Sequence, residues 1–134
     1  DGNVRLCDFG SCAESPILVR NLDERQAAEE KIAKETTQMY RAPEMIDLYL
    51  RPMLTEKTDI WALGCVLYAM CFLTHPFADG SSLGILNGKV TFPADSPYDP
   101  SSIHALIMRM LDMDPECRPS LLELIEWVDA LSHA

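Results

Sequence analysis

Ile60-Trp61-Ala62-Leu63-Gly64-Cys65-Val66-Leu67-Tyr68-Ala69-Met70-Cys71-Phe72 carries no charged side chain, and wound as a helix it is apolar on every face. A helix of that kind is stable in water only when protein surrounds it. With Leu73 the apolar run reaches fourteen residues, short of the roughly twenty that span a bilayer. The stretch is therefore expected to be the buried centre of a helical domain, with Thr55 or Thr58 capping its start.

Downstream, His75-Pro76-Phe77 stops this helix and Asp79-Gly80 turns the chain. Ser82 to Gly88 predicts a brief helix closed by glycine. After Pro93, Pro97 and Pro100, the spacing of Ile103, Leu106, Ile107, Met110 and Leu111 predicts another helix, ended by Asp114-Pro115. The last runs from about Ser120 to Ser132, with Leu121, Leu124, Ile125, Val128 and Leu131 expected to face inward.

Upstream, Pro43 suits a first helical turn, and Met45, Ile46, Leu48 and Tyr49 mark a short helix ending before Arg51-Pro52. Asn21 to Lys34 is polar and rich in helix formers, with Glu30 and Lys34 paired at i,i+4, which predicts a solvated helix within a long loop. Asp1-Gly2 favours a tight hairpin, and Val4 and Leu6 alternate with Arg5 and Cys7 as a short strand. The partner strand would precede Asp1, so the chain is expected to begin inside a larger fold. The fold class is mainly α.

With 48% apolar residues and 24% charged residues, the 134 residues are ordinary for one globular domain. The formal net charge is −10, and residues 58–134 set Lys89, Arg109 and Arg118 against ten acids, a balance of −7. Nucleic acid and anionic membranes need a basic face, so neither is an expected partner. Cys7, Cys12, Cys65, Cys71 and Cys117 are odd in number and form no C-x-x-C pair, which suits a reducing, cytoplasmic setting better than disulfides or zinc. No signal peptide is evident.

Three groups of residues point to chemistry. Asp8-Phe9-Gly10 follows the predicted strand, so the carboxylate sits at a strand end where Gly10 permits a sharp turn. Tyr40-Arg41-Ala42-Pro43-Glu44 ends thirty-six positions after Asp8. Asp59-Ile60-Trp61-Ala62-Leu63-Gly64 opens the central helix, where an Asp suits the helix dipole. In order and spacing these resemble the D-F-G, A-P-E and D-x-W-x-x-G signatures of protein kinases.

The resemblance implies the C-terminal lobe of the protein kinase fold over residues 1–134. It comprises an activation segment from 8 to 44 and about five helices over 45–134, without the N-terminal lobe. It implies a serine/threonine kinase that uses ATP and Mg²⁺, in which Asp8 is a metal ligand, Phe9 packs inward, and Cys7, Asp8, Phe9 and Gly10 border the nucleotide. Cys7 would equally serve as a small buried hydrophobe. Glu44 is expected to pair with Arg118 and hold the floor of the peptide groove, since an arginine fork suits a carboxylate.

Thr36, Thr37, Tyr40, Arg41, Ala42 and Pro43 would line the protein-substrate side, and Arg41 is the nearest cation for any phosphate there. Asp59, with Trp61 and Gly64 structural beside it, would be buried and meet the catalytic-loop backbone. His75 is expected to be structural. No glycine-rich loop, no V-A-I-K-like lysine and no H-R-D-L-x-x-x-N loop occurs in these residues. The missing lobe and catalytic loop are therefore implied partners, and the isolated chain is expected to be inactive.

A narrower resemblance runs through 6–11, 36–49 and 59–65, which are similar to the Numb-associated kinases. It implies clathrin-adaptor substrates, an endocytic role and an extra helix from Ile46 towards Leu54. The rival expectation is a non-catalytic protein-binding module from a truncated kinase or pseudokinase.

Overall fold

A computed structural model describes residues 1–77 and 81–134; the turn expected at Asp79-Gly80 lies outside the described residues. The first helix, α1 (Leu22–Glu35), precedes α2 (Pro43–Ile46), the central α3 (Lys57–Phe72), α4 (Ser82–Asn87), α5 (Ala105–Met110) and α6 (Leu121–Ser132). Two short strands, β1 (Ile17–Leu18) and β2 (Met53–Leu54), pair antiparallel with Ile17 opposite Leu54. The architecture is mainly helical, as the composition of the segments requires.

Ile60, Trp61, Gly64, Cys65 and Tyr68 are buried along one side of α3. Trp61, Cys65 and Tyr68 join Phe77, Ile85, Ile107 and Leu111 in one apolar cluster, while Ile60 meets Leu106, Met110 and Leu124 in another. Gly64 makes the α3–α5 approach possible: a Cβ there would sit 2.9 Å from Met110 Cβ and from Leu111 Cδ2. Both threonines serve the entry of α3, although the cap position itself is Glu56. Thr55 Oγ1 accepts from the Lys57 N–H, and the Thr58 hydroxyl donates to the Thr55 carbonyl.

Four expectations are corrected. The central helix is not covered all round: Leu63, Val66 and Met70 are exposed, and with Leu121, Ile125 and Val128 of α6 they line an open apolar groove. Only Leu124 of α6 is buried, because the chain supplies packing on that one side. Residues 4–7 form no strand, and Val4 and Leu6 are open to solvent, since no described segment pairs with them. The helix after Ala42 stops at Ile46, and Met53–Leu54 is a strand, so no helix occupies 47–54.

The helix over 22–35 forms where expected, started by Asn21 Oδ1 accepting from the Glu24 N–H. It is not fully solvated: Ala28 and Ile32 pack with Val19, Leu48 and Leu54 in a third cluster. The i,i+4 pair that closes is Lys31–Glu35 at 3.0 Å, one position along from the expected Glu30–Lys34. A reciprocal Ser120–Glu123 capping box starts α6. No described helix is long and apolar enough to cross a membrane.

Candidate functional site

Arg118 and Glu44 meet as expected, from opposite ends of the helical domain. Arg118 Nη1 donates to Glu44 Oε1 at 2.7 Å and Nη2 donates to Oε2 at 2.9 Å, with both side chains buried. Pro43 at the first turn of α2 directs Glu44 inward, and the turn Pro115–Cys117 delivers Arg118. The guanidinium also donates to the Asp112 and Lys57 carbonyls at 2.8 and 2.9 Å, and lies 5.0 Å from the centre of the Trp61 ring. A buried ion pair is tolerable only when its remaining donors are satisfied, and here they bind carbonyls. The pair therefore fixes one end of the segment 36–44 against α3.

The other end is held by Arg41. Its Nε donates to Thr36 Oγ1 at 2.8 Å, and Nη2 donates to the Thr36 carbonyl at 3.1 Å and the Ile32 carbonyl at 3.4 Å. The Thr36 hydroxyl in turn donates to the Ile32 carbonyl at 2.6 Å. Arg41 thus closes the C-terminus of α1, the place where a cation favours the helix dipole. The sequence signal was an arginine just beyond a helix end, and its partner could be found only once the chain turned back. Thr37 is exposed and starts the turn Gln38–Tyr40, its carbonyl accepting from the Tyr40 N–H at 3.1 Å. Ala42 is fully buried, and Tyr40 packs against the same cluster.

Asp8, Asp59 and Thr36 come together on a cleft of about 370 Å³ that also includes Ser11, Lys31 and Glu35. Glu56 on its rim is held below the usual carboxylate range by its own backbone N–H and then by the Ser15 hydroxyl, 3.0 Å away. Several local expectations fail here. Asp59 is exposed, so no buried charge is stranded. The left-handed residue is Asp8, at φ 64°, and Gly10 is not left-handed. Phe9 is 62% exposed rather than packed inward, and Cys7 is exposed rather than buried. Cys7, Asp8, Phe9 and Gly10 all precede the first packed element, β1, and are exposed.

Among the described residues no three His, Cys, Asp or Glu side chains gather closely enough to hold a metal ion. Asp8 offers one carboxylate, which does not by itself fit a magnesium site, so no chemical step is assigned through a metal here.

Residues 1–128 match the family described as Protein kinase domain. A probable serine/threonine-protein kinase of Dictyostelium discoideum is 45% identical over 132 residues, covering 98% of the chain and 12% of that relative. A second from the same organism is 44% identical over 128 residues, covering 95% of the chain and 15% of the relative. Actin-regulating kinase 1 of Saccharomyces cerevisiae is 40% identical over 133 residues, covering 99% of the chain and 21% of the relative. The chain thus spans 12 to 21% of the length of these curated relatives.

Proposed function

Because the chain belongs to the protein kinase domain family, we propose that it is the substrate-docking part of a serine/threonine kinase that transfers the γ-phosphoryl of ATP, with Mg²⁺, to protein hydroxyls. The observation that carries this is the Glu44–Arg118 pair, which pins the segment 36–44 to the helical core while leaving its outer face open. Phosphoryl transfer is mainly a matter of positioning, so a rigid platform for the acceptor peptide is a direct contribution to it. Asp8 would supply one metal ligand, with the remaining donors and the general base coming from outside residues 1–134.

The finer reading is a member of the Numb-associated group acting on clathrin-adaptor subunits in the cytoplasm. It is supported by the runs 6–11, 36–49 and 59–65. The short α2 does not favour it, since the extra helix expected over 47–54 is absent.

The test compares the full-length protein, its Asp8→Asn variant and the isolated chain, each given labelled ATP, Mg²⁺ and a protein substrate. Label on serine or threonine is expected from the full-length protein alone. Turnover by the isolated chain, or by Asp8→Asn at the full rate, overturns the division of roles. If the full-length protein neither turns over nor shifts its melting temperature with Mg-ATP, the protein is a non-catalytic binding module.

A further inference from the structure

We propose that His75 is a positioning residue for protein substrate, setting the height and orientation of the Met39–Tyr40 peptide on which the substrate docks; this rests on the kinase function proposed above. His75 lies in the connection after α3, thirty-six positions from Met39 in sequence. Its Nε2 is 2.7 Å from the Met39 carbonyl oxygen, and its Nδ1 is 3.2 Å from the Phe77 backbone nitrogen and 3.1 Å from the Phe77 carbonyl oxygen. A carbonyl only accepts, so Nε2 carries the proton towards Met39; the neutral imidazole then accepts at Nδ1 from the Phe77 N–H, whereas the doubly protonated ring would donate there to the Phe77 carbonyl. One neutral tautomer satisfies both bonds at once.

What lies behind His75 is rigid. Phe77 is buried and stacks on Trp61 with ring centres 5.3 Å apart and planes at 2°, and Trp61 carries the Arg118 guanidinium. The contact sequence Arg118, Trp61, Phe77, His75, Met39 therefore runs from the buried ion pair out to the exposed turn Gln38–Tyr40. The Tyr40 ring meets the imidazole edge-on at 5.8 Å, adding a second contact to the same turn. Gln38 Nε2 lies 3.3 Å from Ser82 Oγ of α4, so the turn is also tied on its far side. Among the described residues the imidazole is the side chain that meets the Met39 carbonyl, and Met39 is 36% exposed, offering an apolar contact to a substrate side chain.

Two conservative substitutions separate the two bonds. Gln at 75 reaches the Nε2 position and keeps a donor for Met39, whereas Asn reaches only the Nδ1 position and keeps an acceptor for Phe77. In the full-length protein, His75→Asn and His75→Leu are expected to raise the peptide KM about tenfold, the worth of one net hydrogen bond, with the ATP KM unchanged. His75→Gln is expected to restore most of the peptide KM. Amide exchange of α3, measured in each variant, confirms that the core is intact, and exchange at the Tyr40 and Arg41 N–H groups is expected to quicken in Asn and Leu but not in Gln. Equal peptide KM in all variants, or rescue by Asn as complete as by Gln, overturns the proposal. Absence of phosphoryl transfer by the wild-type protein overturns the kinase function instead, a result that leaves the exchange pattern readable.

Discussion

Arg118 donates to one carboxylate and two carbonyls inside the protein, so its replacement removes more than a charge. Arg118→Met leaves the Glu44 carboxylate buried without a cation, at an expected loss of about 3–5 kcal/mol. That is a large share of a stability of roughly 5–15 kcal/mol. Arg118→Lys is expected to lose nearly as much, because an ammonium cannot reach both carboxylate oxygens and both carbonyls together. Removing both charges, as Glu44→Met with Arg118→Met, should recover part of the loss. Urea midpoints for the three variants decide it, and an Arg118→Met change below about 1 kcal/mol contradicts the picture. This pairing was legible through the resemblance of Tyr40 to Glu44 to the kinase signature, which implies Arg118 as the partner of Glu44. The expected burial of Phe9 and Asp59 was not, because both are exposed among the described residues.

At the scale of elements, α1 shows what composition conceals. Its residues are mostly charged, which reads as a solvated helix, yet Ala28 and Ile32 are four apart and face the β1–β2 pair and Leu48. Two buried positions on a fourteen-residue helix are too few for a clear periodic signal, whereas α5, with Leu106, Ile107 and Met110 all buried, was legible at once. The α1 cluster is separate from those built around α3, so the two are expected to open separately. Ile32→Ala removes the largest apolar side chain that α1 contributes, with an expected loss of about 2–4 kcal/mol confined to α1 and the strands. Limited trypsin digestion should then cut quickly at Arg25, Lys31 and Lys34 while leaving 57–134 protected. Digestion of both regions at one rate would show a single cooperative unit instead.

At the scale of the whole molecule, the fold is a core around one side of α3, with an apolar groove along the other. The sequence required α3 to be covered, and this requirement was sound as physics; what could not be read was how much of the cover residues 1–134 contain. Cys65, fully buried in the main cluster, reports on whether that core closes without further cover. Burial pushes its thiol up to about 12 from an ordinary 9.0. A raised value means that the folded state favours the protonated thiol. Its contribution is therefore complete below pH 9 and is lost as pH rises towards 12. The Tyr68 hydroxyl, also raised by burial, acts in the same direction. The isolated chain is expected to hold its urea midpoint from pH 7 to 8.5 and to lose it steadily above pH 9, with a shallower loss in Cys65→Ala. At pH 8 a thiol reagent should modify the exposed Cys7, Cys12 and Cys117 promptly and Cys65 only at the rate of global opening, because a protonated, occluded thiol is a poor nucleophile. If Cys65 reacts in step with the exposed three, the core is open in the isolated chain, and α3 needs protein on its second side before it packs.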